Sequence, residues 1–182
     1  MAGKEIRTTS SPDGAPHAPS IVSAYDWGVL GHVVDVGGDG SLLIALLNEY
    51  PALRGTVADL PAAAETARKL LAAAGLSDRA NAVAADPRHA LPEGAEGYLL
   101  SAVLRDWDDD DACVILRNCA TAAGADGAVF VIEVVASPRD DGEPGAGERG
   151  VAELSALAES AGLVVSAVHT AGTAAIVELA AR

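Results

Sequence analysis

Aromatic side chains are nearly missing from this sequence. Three Tyr, two Trp and one Phe make up 3% of it, so a hydrophobic core has to be built from Ala, Val and Leu. Basic residues are scarce too: 12 Lys and Arg stand against 26 Asp and Glu, for a formal net charge of −14 and a pI near 4.4. Such a charge repels phosphate backbones and anionic lipid, which argues against nucleic acid or membrane surfaces as partners. Only two cysteines occur, Cys113 and Cys119. Six positions on a helix is about 1.7 turns, so the thiols point apart. Neither a disulfide nor a metal clip is expected, and both read as core residues. No apolar stretch approaches the ~20 residues of a membrane span, and the N-terminus lacks the apolar stretch of a signal peptide; the expectation is a cytoplasmic protein.

What is present is globular. Half of the 182 residues are apolar and 21% charged, enough for one domain with an ordinary core. The weight of Ala, Gly, Asp and Arg has the look of a GC-rich bacterial coding sequence. Residues 1–19 are rich in Ser, Thr, Pro and Gly and read as a mobile tail, with the domain over 20–182. A short segment, Ser20 to Trp27, is long enough for two helical turns. Apolar runs and helix-period segments then alternate. Strands are expected at His32–Val36, Gly55–Asp59, Asn81–Ala85, Tyr98–Leu104 and Ala128–Val135. Helices are expected at Leu42–Tyr50, Ala62–Ala74, Asp110–Ala123 and Val151–Ala161. The third of these should bury Ala112, Ile115, Leu116 and Cys119, and the second Ala63, Ala67, Leu70, Leu71 and Ala74. Gly162 sits where a left-handed helix cap is wanted. Ser137–Gly150 reads as a polar loop, and Leu163–His169 and Ala174–Ala180 as a closing hairpin around Gly172. The fold class is therefore α/β: a Rossmann-like, open, mostly parallel sheet of about seven strands with a C-terminal antiparallel hairpin and helices on both faces.

The first strand runs through Asp35-Val36-Gly37-Gly38-Asp39-Gly40 straight into a helix. Glycines at such a turn let a ligand touch bare backbone, although close helix–strand packing alone would also want them. Asp59 ends the next strand, 19 residues after Gly40, where a carboxylate would accept both hydroxyls of a ribose. It would equally serve as a helix cap ahead of Leu60-Pro61, and the two roles are compatible. Glycines and acid together suit a dinucleotide as well as any other nucleoside.

A resemblance narrows the choice. Tyr25-Asp26-Trp27, Val33 to Gly38, Thr56 to Pro61, Tyr98 to Leu104, Asp106-Trp107-Asp108-Asp109, Ile115 to Cys119 and Ala161-Gly162-Leu163 resemble the small-molecule O-methyltransferases of bacterial polyketide and plant phenolic pathways. The similarity runs from about Ser20 to Leu179. It implies S-adenosylmethionine as cofactor and a small-molecule acceptor, phenolic or carboxylate. It implies that Asp35, Gly37, Gly38 and Gly40 line the methionine end, Asp59 binds the ribose, Asp86 bonds the adenine amine, Trp107 packs nearby and Ser101 lies by the cofactor carboxylate. No metal is implied. On the residues alone, Asp86 before Pro87 would also pass for a turn residue.

Four departures from the family pattern stand out. The glycine loop lacks a third consecutive Gly before Asp39. Pro87-Arg88 follow Asp86 where the family has Phe-Phe, so an aromatic wall for the base is missing. The family's general-base His, directly before Asp-Trp, is Arg105 here. A phenol with a pKa of about 10 gives its proton to an imidazole, not to a guanidinium whose pKa exceeds about 12. The two glutamates that bracket that His match Glu133 and Glu148, which with Arg105 would form a charge-compensated cluster. His89 and His169 read as surface or loop histidines. Finally, the family's N-terminal dimerisation and substrate-covering domain is not in this sequence, and the loop over 137–147 is short. An open acceptor site, a homodimer or partner chain supplying the cover, and self-association through a bared apolar surface are the corresponding expectations. An enzyme, a cofactor-binding remnant without activity, and a family-derived enzyme of other chemistry are all compatible with these residues.

Overall fold

The computed structural model describes residues 17–134 and 149–182. The expected tail up to residue 16, the expected loop up to residue 148, and Glu148 itself lie outside the described residues. The chain order is α1 (Ala18–Ala24), β1 (His32–Val36), α2 (Ser41–Glu49), β2 (Arg54–Asp59), α3 (Pro61–Ala73), β3 (Ala80–Ala84), β4 (Gly97–Ser101), α4 (Asp109–Ala123), β5 (Ala128–Val134), α5 (Val151–Ser160), β6 (Leu163–Ala171) and β7 (Ala174–Ala181). Seven strands form one sheet in the order β3-β2-β1-β4-β5-β7-β6. The first five are parallel; β7 runs antiparallel to β5 and to β6. The fold expected from sequence is the one observed.

Alternation along each strand feeds two cores. Val34, Val36, Tyr98, Leu100, Val129 and Val131 point toward α4 and α5, which bury Ile115, Leu116, Cys119, Leu154 and Leu157 against them. Val33, Val57, Leu99, Phe130 and Ile132 point the other way, toward α2 and α3. With strands apolar on both faces, each central strand needs helices above and below, and the alternation of strand and helix supplies them. Cys113 and Cys119 are free and buried, as expected.

Several boundaries moved, each for a local reason. The first helix starts at Ala18 because Pro19 fits the first turn, where no backbone N–H is needed. It ends before Tyr25, whose backbone is extended. Asp26 then accepts from the Gly28 amide and starts a 3-10 turn over Trp27–Val29. On α3 the buried face is Ala64, Ala67 and Leu71, while Leu70 is 42% exposed and Ala63 and Ala74 lie off the face. The helix is therefore rotated from the expected face. The fourth strand stops at Ser101, because Ala102 turns left-handed at φ 55° and Leu104–Asp106 curl into a 3-10 turn that buries Leu104. Large exposed hydrophobics among the described residues are Val29, Leu70, Val114 and Val168, which stand on four different elements. Among these residues no helix is long and apolar enough to cross a membrane.

Half of the few aromatics serve one cluster. Tyr25, Trp27 and Phe130 pack with centroids 4.8–5.2 Å apart, and the wholly buried Trp27 donates from Nε1 to the Ile21 carbonyl at 3.0 Å. This pins α1 to the sheet. We expect Trp27→Ala to cost about 3–5 kcal/mol in urea unfolding; a loss under about 1 kcal/mol would show that α1 docks without it.

Candidate active site

In a parallel sheet of this kind the strand order reverses between β1 and β4, and a crevice opens at their carboxyl ends. Residues after β1, β2, β3, β4 and the end of β5 converge on that edge of the sheet. Asp35, Gly37, Gly38 and Gly40 follow from β1, Asp59 ends β2, Asp86 follows β3, Ser101 ends β4 and Glu133 is next to last in β5.

The glycine loop is shaped from beneath. Asp35 is 2% exposed, and its Oδ1 has no hydrogen-bond partner. Gly38 lies directly over it: a Cβ there would sit 2.3 Å from both carboxylate oxygens, which no side chain tolerates. Gly37 and Gly40 hold φ of 69° and 89°, conformations costly for other residues. Asp39 accepts the Ser41 amide at 2.8 Å and starts α2. The loop is tied sideways as well, with the Gly37 amide donating to Ala58 at 2.9 Å on β2.

Asp59 is half-buried, and its Oδ1 accepts the amide of its neighbour Leu60 at 2.6 Å. It does not cap α3. The capping position is Leu60, which makes no side-chain cap bond, so the capping alternative is set aside. Burial raises the Asp59 carboxyl above the usual carboxylate range. For Asp35, burial and then the charges of Asp39 and Asp59 raise the pKa to about 7. Three acids, one of them with an unsatisfied buried oxygen, form a site whose missing partner is a cation with N–H donors. S-adenosylmethionine fits that description, with an ammonium and a sulfonium on one nucleoside.

Ser101 is half-buried and precedes the strained Ala102, the one non-glycine residue with positive φ among those described. The 3-10 turn that follows carries Arg105 and leads to Trp107. Glu133, 5% exposed, sits under this turn, where the backbone N–H groups of Leu104 and Arg105 favour its charged form, and its Oε1 has no hydrogen-bond partner. Burial raises its carboxyl to about 7, against the charges of Arg105 and Arg149, which lower it.

Arg149 is a residue that sequence reasoning missed. Its guanidinium donates to the carbonyls of Leu104 and Trp107 (2.7 Å to the latter) and to Asp109 Oδ1 at 2.8 Å. It therefore staples the Arg105 turn to the start of α4. No local pattern marks an arginine whose partners lie 40 or more positions away; its place beside Glu148 is the only hint.

Asp86 does behave as a turn residue, accepting the Arg88 amide at 3.0 Å. It also grips the Arg88 side chain, with Nε at 3.2 Å and Nη2 at 2.9 Å, and Oδ2 lies 3.2 Å from His89 Nδ1. Arg88 holds the Asp86 carboxyl down at about 2. The Arg88 guanidinium lies over the Trp107 ring, 5.1 Å from its centroid. The structure thus brings Asp86 and Trp107 together through Arg88.

Comparison with known proteins agrees with this geometry. The sequence model of the O-methyltransferase domain family matches residues 16–173. The chain is 48% identical over 171 residues to the 2,7-dihydroxy-5-methyl-1-naphthoate 7-O-methyltransferase of Streptomyces carzinostaticus, covering 88% of this chain and 52% of that one. It is 43% identical over 122 residues to aclacinomycin 10-hydroxylase RdmB of Streptomyces purpurascens, covering 66% of this chain and 32% of that one. The solved structure of the O-methyltransferase NcsB1 from neocarzinostatin biosynthesis, bound to S-adenosylmethionine and 2-hydroxy-5-methyl naphthoic acid, superposes with a TM-score of 0.83 at 48% identity. That match covers 89% of this chain and 52% of the other. The chain thus spans about half the length of the O-methyltransferases it matches.

The three raised carboxyls, Asp35, Asp59 and Glu133, make stability depend on pH. Between pH 4 and 7 the folded chain keeps a proton on Asp35 that the unfolded chain has lost, so stability falls as pH rises through this window. Asp35→Asn should therefore be more stable than the unaltered chain at pH 8 by roughly 1–3 kcal/mol, with a shallower decline from pH 5 to 8. Glu133 and Asp59 supply the slope that remains. An unchanged decline in urea unfolding at the two pH values would show that Asp35 stays ionised in the fold.

Proposed function

Because the chain belongs to the O-methyltransferase domain family, we propose that it is the cofactor-binding part of an S-adenosylmethionine-dependent enzyme that methylates an oxygen of a small aromatic acceptor. The observation that carries this reading is the unpaired Asp35 Oδ1, buried under a glycine loop at the switch point. Asp35, Gly37, Gly38 and Gly40 would line the amino-acid end, Asp59 would hold the ribose hydroxyls, and Ser101 would lie by the carboxylate. When bound, the cofactor supplies an electrophilic methyl group on a sulfonium.

The remaining residues position the acceptor. Arg105 stands where the family keeps its proton-accepting His, and a guanidinium does not take a proton. An acceptor already ionised removes the need for a base, and Arg105 would orient it by charge. A hydroxy-naphthoate of the kind named for the Streptomyces carzinostaticus relative carries a carboxylate that Arg105 would orient, while the 7-hydroxyl which that relative methylates still has to lose its proton. Glu133 acts from below by holding the turn that carries Arg105, and Arg149 does so from the side. The cover over the acceptor would come from a further domain or a second chain, as would any dimer contact.

One observation favours a second reading. A relative named as a hydroxylase is 43% identical to this chain, so the family frame also hosts other chemistry. There Arg105 would stabilise a developing negative charge instead of orienting an anion.

Calorimetry tests the cofactor reading. S-adenosylhomocysteine should bind, and Asp59→Ala should weaken it about tenfold or more, through loss of hydrogen bonds to a charged acceptor. The ligand's ammonium lowers the Asp35 pKa from about 7, so binding near pH 7 should release protons, seen as a dependence of the heat on buffer ionisation. No heat at millimolar ligand removes the reading. Arg105→His separates the two chemistries: a rise in methyl transfer to a neutral phenol would identify the arginine as what restricts the acceptor. An unchanged rate would favour the second reading.

A further inference from the structure

The Asp86 carboxylate is largely taken by Arg88. A carboxylate offers about four lone-pair sites. Here Oδ1 takes the Arg88 amide and Nε, and Oδ2 takes Arg88 Nη2, with His89 Nδ1 3.2 Å from the same oxygen. An amine on a nucleobase would compete with both side chains for what is left. Meanwhile the guanidinium that fills the carboxylate is flat, held edge-on by two bonds in its own plane, and backed on one face by Trp107. Its side chain is still 30% exposed.

The arrangement is anchored from both ends. Asn118 on α4 donates to the Pro87 carbonyl at 2.8 Å, which fixes the loop that carries Arg88. Arg149 donates to the Trp107 carbonyl at 2.7 Å, which fixes the ring. The loop joins the crevice directly, since the Ala85 amide donates to the Asp59 carbonyl at 2.8 Å. A planar cation stacked on an aromatic face is a good platform for a further π-system, because a guanidinium stacks on rings from either side.

Resting on the cofactor reading above, we infer that Arg88 is the surface on which the cofactor's nucleobase stacks, and that Asp86 is a positioning residue that sets the Arg88 plane instead of reading the base amine. The pair Asp86–Arg88, backed by Trp107, takes the place of an aromatic wall. Selectivity for the base then comes from its flat face, and the exocyclic group on the six-membered ring matters little.

The test is calorimetry with two ligands, S-adenosylhomocysteine and S-inosylhomocysteine, which carries an oxo group in place of the adenine amine. The unaltered chain should bind the two with affinities that differ by less than tenfold. An amine bonded directly to the carboxylate would separate them by about tenfold or more. Arg88→Ala should weaken S-adenosylhomocysteine by about tenfold, as loss of a stacking partner does. Arg88→Lys, which keeps the charge without the plane, should not restore it. By freeing the carboxylate, Arg88→Ala should also increase the preference for the adenine ligand. A tenfold or larger preference in the unaltered chain, or full affinity in Arg88→Ala, overturns the inference. Should Arg88→Ala fail to fold, the comparison of the two ligands on the unaltered chain decides it. Binding of neither ligand by the unaltered chain removes the cofactor reading and this inference with it.

Discussion

A carboxylate buried without a full set of partners governs this structure. Asp35 sits at the end of the central strand, under a loop that must be glycine above it, and with one oxygen unbonded. Burying a charge in that state costs free energy, and the neighbours Asp39 and Asp59 add to the cost. The fold tolerates it because the surrounding strands and helices are packed on both faces and hold the loop in place. What relieves the cost is a positively charged donor arriving from the crevice. A site that is poor for the empty protein is a good one for such a ligand, and this links stability to binding.

Around that centre the structure divides its work between two rims. One rim, after β2 and β3, carries Asp59 and the Asp86–Arg88 pair. The other, after β4 and β5, carries Ser101, the strained Ala102 and the Arg105 turn held by Glu133 and Arg149. Trp107 is shared, since Arg88 covers its face and Arg149 holds its backbone. Two arginines therefore stand on these rims, Arg88 on one and Arg105 on the other, and Arg88 is tied to a carboxylate that sets its direction.

Much of this was legible in the residues. The alternation of apolar runs with helix-period segments implied the layered sheet, and the glycine turn with Asp59 marked the crevice edge. The inward face of α4 followed from Ala112, Ile115, Leu116 and Cys119. Harder to read was α3, where alanines outnumber larger residues and a helix rich in small side chains has no strong apolar stripe. The end of β4 was misjudged because Ala102, Val103 and Leu104 are as apolar as the strand before them. Only a backbone turn, not hydrophobicity, separates them. The contact of Arg88 with Trp107 could not be read from the sequence, since it joins positions 19 apart.

Local chemistry, acting over a few residues, was enough to decide which segments become strands and helices, where the loop needs glycine, and which acids end the strands. Periodicity and steric limits on backbone angles are properties of neighbours along the chain, so the sequence carries them openly. Tertiary structure alone decided that Asp35 is buried and short of a partner, that Arg88 lies over Trp107, and that Arg149 fastens a turn more than 40 positions before it. Burial and long-range pairing depend on how whole elements meet, and desolvation exists only once they have met.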